Sequence, residues 1–285
     1  MKTEGQKRPS RAVATGIVII LALLVLHFFA GMGLASGKGE TGRFNLVSVG
    51  VGDPDLITVR AIETIKESDI IICRPRLRET FASYLEGKTF WDGAFGEWRT
   101  YGRDCDSLED EEARAKCISD KKVRNQVEAD IRKAVKAGKT VSVLGQGDLL
   151  IYGGPYRWYM KELADIGVNI IPGISALNAA NAALGKDIMG GKNTSSAVMT
   201  IYRDIDKVAV HQPTLVIFTM FTVFSDLVEK LKQYYPEETP IAVVFYAGYK
   251  EKEYIISGTL DTILAKTDGI DWPFEHLVYV GDFME

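Results

Sequence analysis

The 285-residue chain predicts an α/β body of two subdomains, preceded by one N-terminal transmembrane or signal helix. Three observations carry this reading. An apolar stretch of helical length follows a basic start. From Phe44 onward, β-branched runs alternate with amphipathic helical patterns. A hydrophobic share of 46% with 25% charged residues is ordinary globular composition, which excludes disordered, collagenous and multi-span classes. The net charge of −4 supplies no drive toward nucleic acid, whose binding rests on Lys and Arg neutralising phosphates. Three cysteines are too few for a disulfide scaffold, and three histidines without paired spacing offer no zinc ligands.

Residues 1–11 (MKTEGQKRPSR) form a basic tail, and residues 12–35 are apolar, most strongly over IVIILALLVLHFFA. At 1.5 Å per residue this segment rises roughly 36 Å, enough to cross a bilayer as an uncleaved anchor. A cleaved signal peptide is the alternative, fitting the basic start and the small residues Gly33 and Ala35. Under either reading the positive-inside rule keeps the tail in the cytoplasm and sends the body to the extracytoplasmic side. Residues 36–43 are the linker.

The first subdomain spans 44–171. FNLVSVGVG is a strand ending in glycines, and DPDLITVRAIETIKESD is a helix with Thr58 as N-cap and Ala61, Ile62 and Ile65 on its apolar face. SDIIIC begins the next strand. An irregular insert over 74–128 holds FWDGAFGEWRTYGRDCDSLEDEEARAKC, a loop-rich aromatic piece followed by a charged helical piece, and its interleaved aromatics suit an ordered binding lid. A helix at Ala129–Gly138, the strand TVSVLG, a helix at Tyr156–Ile166 and the strand VNIIPG complete this half. Such alternation argues for a mainly parallel sheet. Pro172–Gly173 is the hinge to the second subdomain, 172–285. There a small-residue helix (ISALNAANAALG) precedes PTLVIFTM, a helix near Ser225–Tyr234, and strands in TPIAVVFYAG, EYIISGTL and HLVYVGDFM.

Several of these segments carry more than secondary structure. In SVGVGDPDLITVRA, Gly50 and Gly52 release a strand into a turn; the missing third glycine and Pro54 argue against a dinucleotide site. In LGQGDLLIYGG the glycines let a ligand approach the backbone, and Asp148 can accept hydrogen bonds. In IIPGISALNAANAALG, Ser175 is equally placed to cap the helix or to meet a ligand. With PTLVIFTM, TPIAVVFYAG and SGTL in the same order, residues 44–283 resemble the tetrapyrrole (corrin/porphyrin) methylases.

The resemblance implies a ligand cleft between the two α/β subdomains, S-adenosyl-L-methionine as cofactor, a tetrapyrrole as substrate and a homodimer. Family cofactor positions fall on Val51, Gln146, Gly147, Asp148, Ile151, Ser175, Ala176, Thr219 and Ala247. Val51 stands where proline is frequent, Gln146 and Ala247 where glycine is, and Thr219 where methionine is; Leu149 replaces the proline that usually follows the Asp. Backbone contacts survive such exchanges better than side-chain contacts do. The proton acceptor of the uroporphyrinogen-methylating branch falls on Arg74, whose guanidinium cannot act as a base near neutral pH. The expected activity is therefore a membrane-anchored methyltransferase that does not act on uroporphyrinogen. The alternative is an exported, inactive relative that binds a tetrapyrrole or assists haem-protein assembly.

No catalytic residue is assigned. Asp53 and Asp55 are the acids near the cleft. On an extended chain Arg74, Arg76 and Arg78 would point to one face and grip substrate carboxylates, or else form a solvated edge. Cys105 and Cys117 would pair if the body is exported, and Cys73 reads as a buried thiol.

Overall fold

A computed structural model describes residues 42–193 and 195–284. The basic tail and the 12–35 segment lie outside the described residues, and no described helix is long and apolar enough to cross a membrane. The chain first lays down a five-stranded sheet, β1 (Phe44–Ser48), β2 (Ile70–Ile72), β3 (Thr89–Trp91), β4 (Val141–Gly145) and β5 (Val168–Ile171). All its pairs are parallel, in the order β3-β2-β4-β1-β5. Parallel strands need helical crossovers. These are α1 (Val59–Glu67), α2 (Pro75–Thr80), α3 (Ala82–Leu85), α4 (Glu111–Lys136) and α5 (Arg157–Glu162).

Both faces of this sheet are covered, which is why β1 and β4 are buried at every residue. On one face Leu46, Ile72 and Val143 pack with Ile131, Trp158 and Tyr159 of α4 and α5. On the other, Val47, Ile71 and Leu144 pack with Ile65, Leu77 and Leu85 of α1, α2 and α3. Each of these buried side chains contributes about 1.5–3 kcal/mol relative to exposure. A polar chain fixes the register within this apolar setting. Asn169 donates to Asn45 Oδ1 (2.9 Å), Asn45 donates to Ser142 Oγ (2.9 Å), and the Ser142 and Ser68 hydroxyls meet at 2.6 Å. A shift of β1 or β4 would strand the buried Asn45, Ser142 and Ser68 groups without partners.

The second sheet contains β6 (Ala197–Ile201), β7 (Thr214–Phe218), β8 (Pro240–Phe245), β9 (Tyr254–Thr259) and β10 (His276–Val280), in the order β6-β7-β10-β8-β9. Its helices are α6 (Ala176–Leu184), α7 (Ile205–Val208), α8 (Phe224–Lys232) and α9 (Ile263–Lys266). Ser175 caps α6 through a reciprocal box with Asn178, and Gly185 ends it in left-handed conformation at φ 60°. Small residues let α6 sit close on β8 and β10, with Ala180 packed among Val216, Val244 and Tyr279.

The first sheet is parallel throughout, as expected, and the second is mixed: β6 and β7 pair in parallel, and the other pairs are antiparallel. Two expectations need correction. The charged piece of the 74–128 insert is helical, as expected, but it is continuous with the helix expected at Ala129–Gly138, so that α4 starts at Glu111. Its buried stripe includes Cys117, Asp120 and Arg124, so polar residues hide the apolar period. The insert is also a buttress and not a lid. Trp98 lies against Gly154, Arg124 donates to Glu97 O and Thr100 Oγ1, and Cys105 is bonded to buried Cys117. Cys73 is a buried free thiol whose pKa is raised by that burial.

Between the subdomains, backbone meets backbone. Gly52, at φ +73°, would place a Cβ 2.2 Å from Gly248 O. We expect Gly52→Ala to cost about 3 kcal/mol or more, read as a lowered midpoint in denaturant titration, because strain and clash add at that position.

Candidate active site

In an open parallel sheet, ligands bind outside the carboxyl ends of the strands, where neighbouring crossovers leave in opposite directions. The chain leaves β1 through α1 toward β2 and leaves β4 through α5 toward β5, packing on opposite faces. The switch point therefore lies between the ends of β1 and β4. There the two loops are clasped by reciprocal main-chain hydrogen bonds, Gly147 N–H to Gly50 O (2.8 Å) and Gly50 N–H to Gly147 O (3.3 Å). Ser48 Oγ accepts from Leu149 N (3.1 Å), and a Cβ on Gly173 would lie 2.6 Å from Ser48 Cβ and 2.8 Å from Gly147 O. The loops after β1, β4 and β5 thus converge on one spot.

The second sheet supplies the opposite wall. Three residues with side chains adopt left-handed backbone around this junction: Tyr152 after the β4 loop (φ 57°), Met220 after β7 (φ 56°) and Tyr246 after β8 (φ 50°). Strain of this kind costs of order 1–3 kcal/mol per residue and collects where binding geometry is imposed. The Tyr152 ring packs on Phe218 at 4.6 Å, joining the β4 loop to the end of β7, and burial raises its pKa.

At the rim, polar contacts hold the halves together. Arg76 donates to Glu275 Oε1 (2.9 Å) and to Tyr249 OH (3.2 Å), and Gln146 Nε2 donates to the same hydroxyl (3.1 Å). The bond to Glu275 raises the Arg76 pKa. Asp53 N–H donates to Gly248 O (2.9 Å), Lys250 N–H donates to Asp53 Oδ2 (2.9 Å), and Lys250 pairs with Asp55. Both acids considered as bases are thus engaged with Lys250.

The three arginines do not share a face. Pro75 opens α2 with Arg74 as its N-cap, so the RPRLR segment is helical where an extended chain was expected. Arg74 donates to Phe95 O (3.2 Å) and lies over the Phe95 ring. Arg78 donates to Trp91 O (3.5 Å) and lies over Phe90. Both anchor the insert, and only Arg76 reaches the rim.

The cofactor positions fall at the junction from both sides. Val51, Gln146, Gly147, Asp148 and Ile151 lie on the β1 and β4 loops, Ser175 and Ala176 at the start of α6, Thr219 after β7 and Ala247 after β8. The Ser175 hydroxyl is committed to its cap, donating to Asn178 Oδ1 at 2.7 Å. Asp148 Oδ1 accepts from Leu150 N (2.8 Å). Among the described residues, Ala247 has no main-chain hydrogen-bond partner, and Ala176 N–H is an uncapped first-turn donor of α6. Glycine loops and open main-chain groups are what a cofactor gripped by backbone requires. Tyr249, Lys250 and Glu275 were invisible in sequence because they act across the subdomain boundary. So was His276, whose Nε2 lies 2.6 Å from Thr219 Oγ1 and whose Nδ1 lies 2.6 Å from Pro273 O.

Residues 43–264 match the family model for tetrapyrrole (corrin/porphyrin) methylases. The chain belongs to that family. Its cofactor is S-adenosylmethionine, and its members are tetrapyrrole methyltransferases. The chain is 29% identical to a cobalt-precorrin-4 C(11)-methyltransferase of Methanocaldococcus jannaschii, over 84% of this chain and 87% of that protein. It is 25% identical to the uroporphyrinogen-III C-methyltransferase of the same organism, over 79% and 90%. In fold it is similar to a solved cobalt precorrin-4 methyltransferase, with a TM-score of 0.67 at 20% identity, covering 88% of this chain and 99% of that one. It is also similar to a uroporphyrin-III C-methyl transferase from Thermus thermophilus complexed with S-adenosyl homocysteine, with a TM-score of 0.57 at 18% identity over 85% and 98%.

The rim network makes its own prediction. Tyr249→Phe removes the acceptor shared by Arg76 and Gln146, so amide exchange over 246–253 should quicken severalfold while exchange in β1 and β4 stays unchanged. Uniform quickening would refute a local latch.

Proposed function

We propose that this chain is a membrane-anchored, homodimeric S-adenosylmethionine-dependent methyltransferase that acts on a tetrapyrrole of the precorrin kind and not on uroporphyrinogen. One observation carries the reading: the glycine loops of β1 and β4 are clasped at the switch point of the first sheet, and Gly248 of the second subdomain lies against Gly52 beside them. The bound cofactor would supply an electrophilic methyl group on a sulfonium sulfur. The chain's part is to align donor and acceptor and to take up one proton, since positioning alone removes a large share of such a barrier. The Gly50–Gly52 and Gly147–Asp148 loops would hold the donor, with Ala176 and Ala247 offering main-chain groups. The exclusion of uroporphyrinogen rests on Arg74, which stands at that branch's acceptor position and is tied to Phe95 O.

Calorimetric titration of the full chain in detergent should show binding of both S-adenosylmethionine and S-adenosylhomocysteine. Turnover is expected with cobalt-precorrin-4 and not with uroporphyrinogen III. If folded protein binds neither nucleoside, the enzyme reading fails; turnover of uroporphyrinogen III would overturn only the acceptor.

The Cys105–Cys117 bond favours a second reading, an exported relative that binds a tetrapyrrole or assists haem-protein assembly, because disulfides persist in oxidising compartments. Placement of the body outside the cytoplasm is common to this reading and to the charge bias of residues 1–11. A topology reporter fused after residue 40 should therefore be active outside the cytoplasm, and denatured protein should expose one titratable thiol of three. Three thiols and an inward reporter would overturn the placement.

A further inference from the structure

The 97–105 stretch of the insert is tied to α4 along one stripe of that helix. Cys117, Asp120 and Arg124 stand on a single helical face, and all three are buried. Cys117 is bonded to Cys105. Asp120 Oδ2 accepts from the Thr100 hydroxyl at 3.0 Å, and Arg124 donates to Thr100 Oγ1 at 2.9 Å and to Glu97 O. From Gly102 to Asp110 the chain lies mostly at the surface and makes turn bonds of its own, such as Leu108 N–H to Cys105 O (3.3 Å). Its ties to α4 are the disulfide, the Thr100 bonds and Arg114, which donates to Leu108 O at 2.6 Å.

The same stretch bears on the cofactor loop. Trp98 packs on the core of the first subdomain, and a Cβ on Gly154 would lie 2.8 Å from its ring. No slack separates Gly154 from the cofactor positions. A Cβ on Gly153 would meet Leu149 O at 1.5 Å, and one on Gly145 would meet the Leu149 side chain and Tyr156 OH at 2.2 Å. Leu149 N–H is bonded in turn to Ser48 Oγ, and Ile151 N–H to Asp148 O (3.1 Å). The loop that carries Gln146, Gly147, Asp148 and Ile151 is thus closed on itself, with Trp98 against its far end. Packing this close passes a displacement on, because little free volume absorbs it.

We propose that Trp98 is a positioning residue for the cofactor loop and that the Cys105–Cys117 bond sets how firmly it is held, so that cofactor affinity responds to thiol redox state. The proposal rests on the methyltransferase reading above. The controlling step is thiol–disulfide exchange with a dithiol. The dithiol gives up two electrons and two protons and closes to its own disulfide, while the Cys105–Cys117 bond breaks to two thiols. Cys105 is half-buried in a surface stretch, so a small thiol reaches its sulfur while that of Cys117 is shielded. Reduction returns to the chain the freedom that cross-linking two residues 12 apart had removed. The hydrogen bonds to α4 then hold the stretch alone, and Trp98 no longer has one fixed place beside Gly154.

Calorimetric titration of the full chain in detergent with S-adenosylhomocysteine, before and after dithiothreitol, reads this. Reduction should weaken binding about tenfold in the wild type, a change of about 1.4 kcal/mol. Trp98→Ala should bind weakly from the outset and lose no more than about twofold on reduction, because effects that share one route do not add. Trp98→Phe, which keeps an aromatic face, should retain most of the response. Cys105→Ser should match the reduced wild type without reductant. Unchanged wild-type affinity after reduction, or an undiminished response in Trp98→Ala, would overturn the proposal. Amide exchange gives a readout without cofactor: reduction should quicken exchange over 146–154 severalfold and leave β7 unchanged. If neither state binds S-adenosylhomocysteine, the methyltransferase reading fails and exchange still decides. Unchanged exchange over 146–154, or equal quickening in β7, overturns the coupling.

Discussion

The reciprocal main-chain bonds between Gly50 and Gly147 are the constraint on which the site depends. They extend the β1–β4 pairing beyond the last strand residues, at the place where the two crossovers part. Each loop would otherwise follow its own helix to the opposite face of the sheet. Clasped, the loops present glycines side by side, and both positive-φ positions are ones where a Cβ would cost energy. The polar chain from Asn169 to Ser68 acts beneath this clasp. It fixes the register of three strands, and through register it fixes which residues emerge at the carboxyl edge.

The second subdomain is held to this edge by a different kind of contact. Gly52 lies against Gly248, and around that backbone contact sit exposed charges whose pairing is individually worth at most about 1 kcal/mol. Arg76–Glu275 and Lys250–Asp55 therefore set orientation more than they supply stability. The strained residues Tyr152, Met220 and Tyr246 are placed at the same seam, where local stability is given up for geometry.

Much of the first sheet was legible in the sequence because its strands are short apolar runs that end in glycine or proline, and its helices have regular periods. Thr58 and Ser175 announced their caps by residue type, and both caps are present. What stayed hidden shares a physical cause. The period of α4 is masked because its buried stripe contains Asp120 and Arg124, which are satisfied by Thr100 and Glu97 far away in sequence. RPRLR was read as extended because alternation of charge resembles a strand edge, whereas Pro75 is preorganised to start a helix. The turns after β1 and β4 were legible from their glycines. Its rim was not, since Tyr249, Glu275 and His276 gain meaning only from partners across the fold.

The departure at Thr219 gains weight when read with His276. Methionine, the family's frequent residue there, has no proton to exchange and packs as a soft apolar group. A threonine placed at that buried position without a partner would leave a hydroxyl unsatisfied, at about 1–3 kcal/mol. His276 removes that cost, and Pro273 O in turn holds the ring in the one tautomer that can accept. The two residues are 57 positions apart and sit on adjacent strand ends, β7 and β10, which pair antiparallel. Each therefore makes sense only with the other. A buried hydroxyl and a half-buried imidazole thus satisfy each other at the ends of β7 and β10.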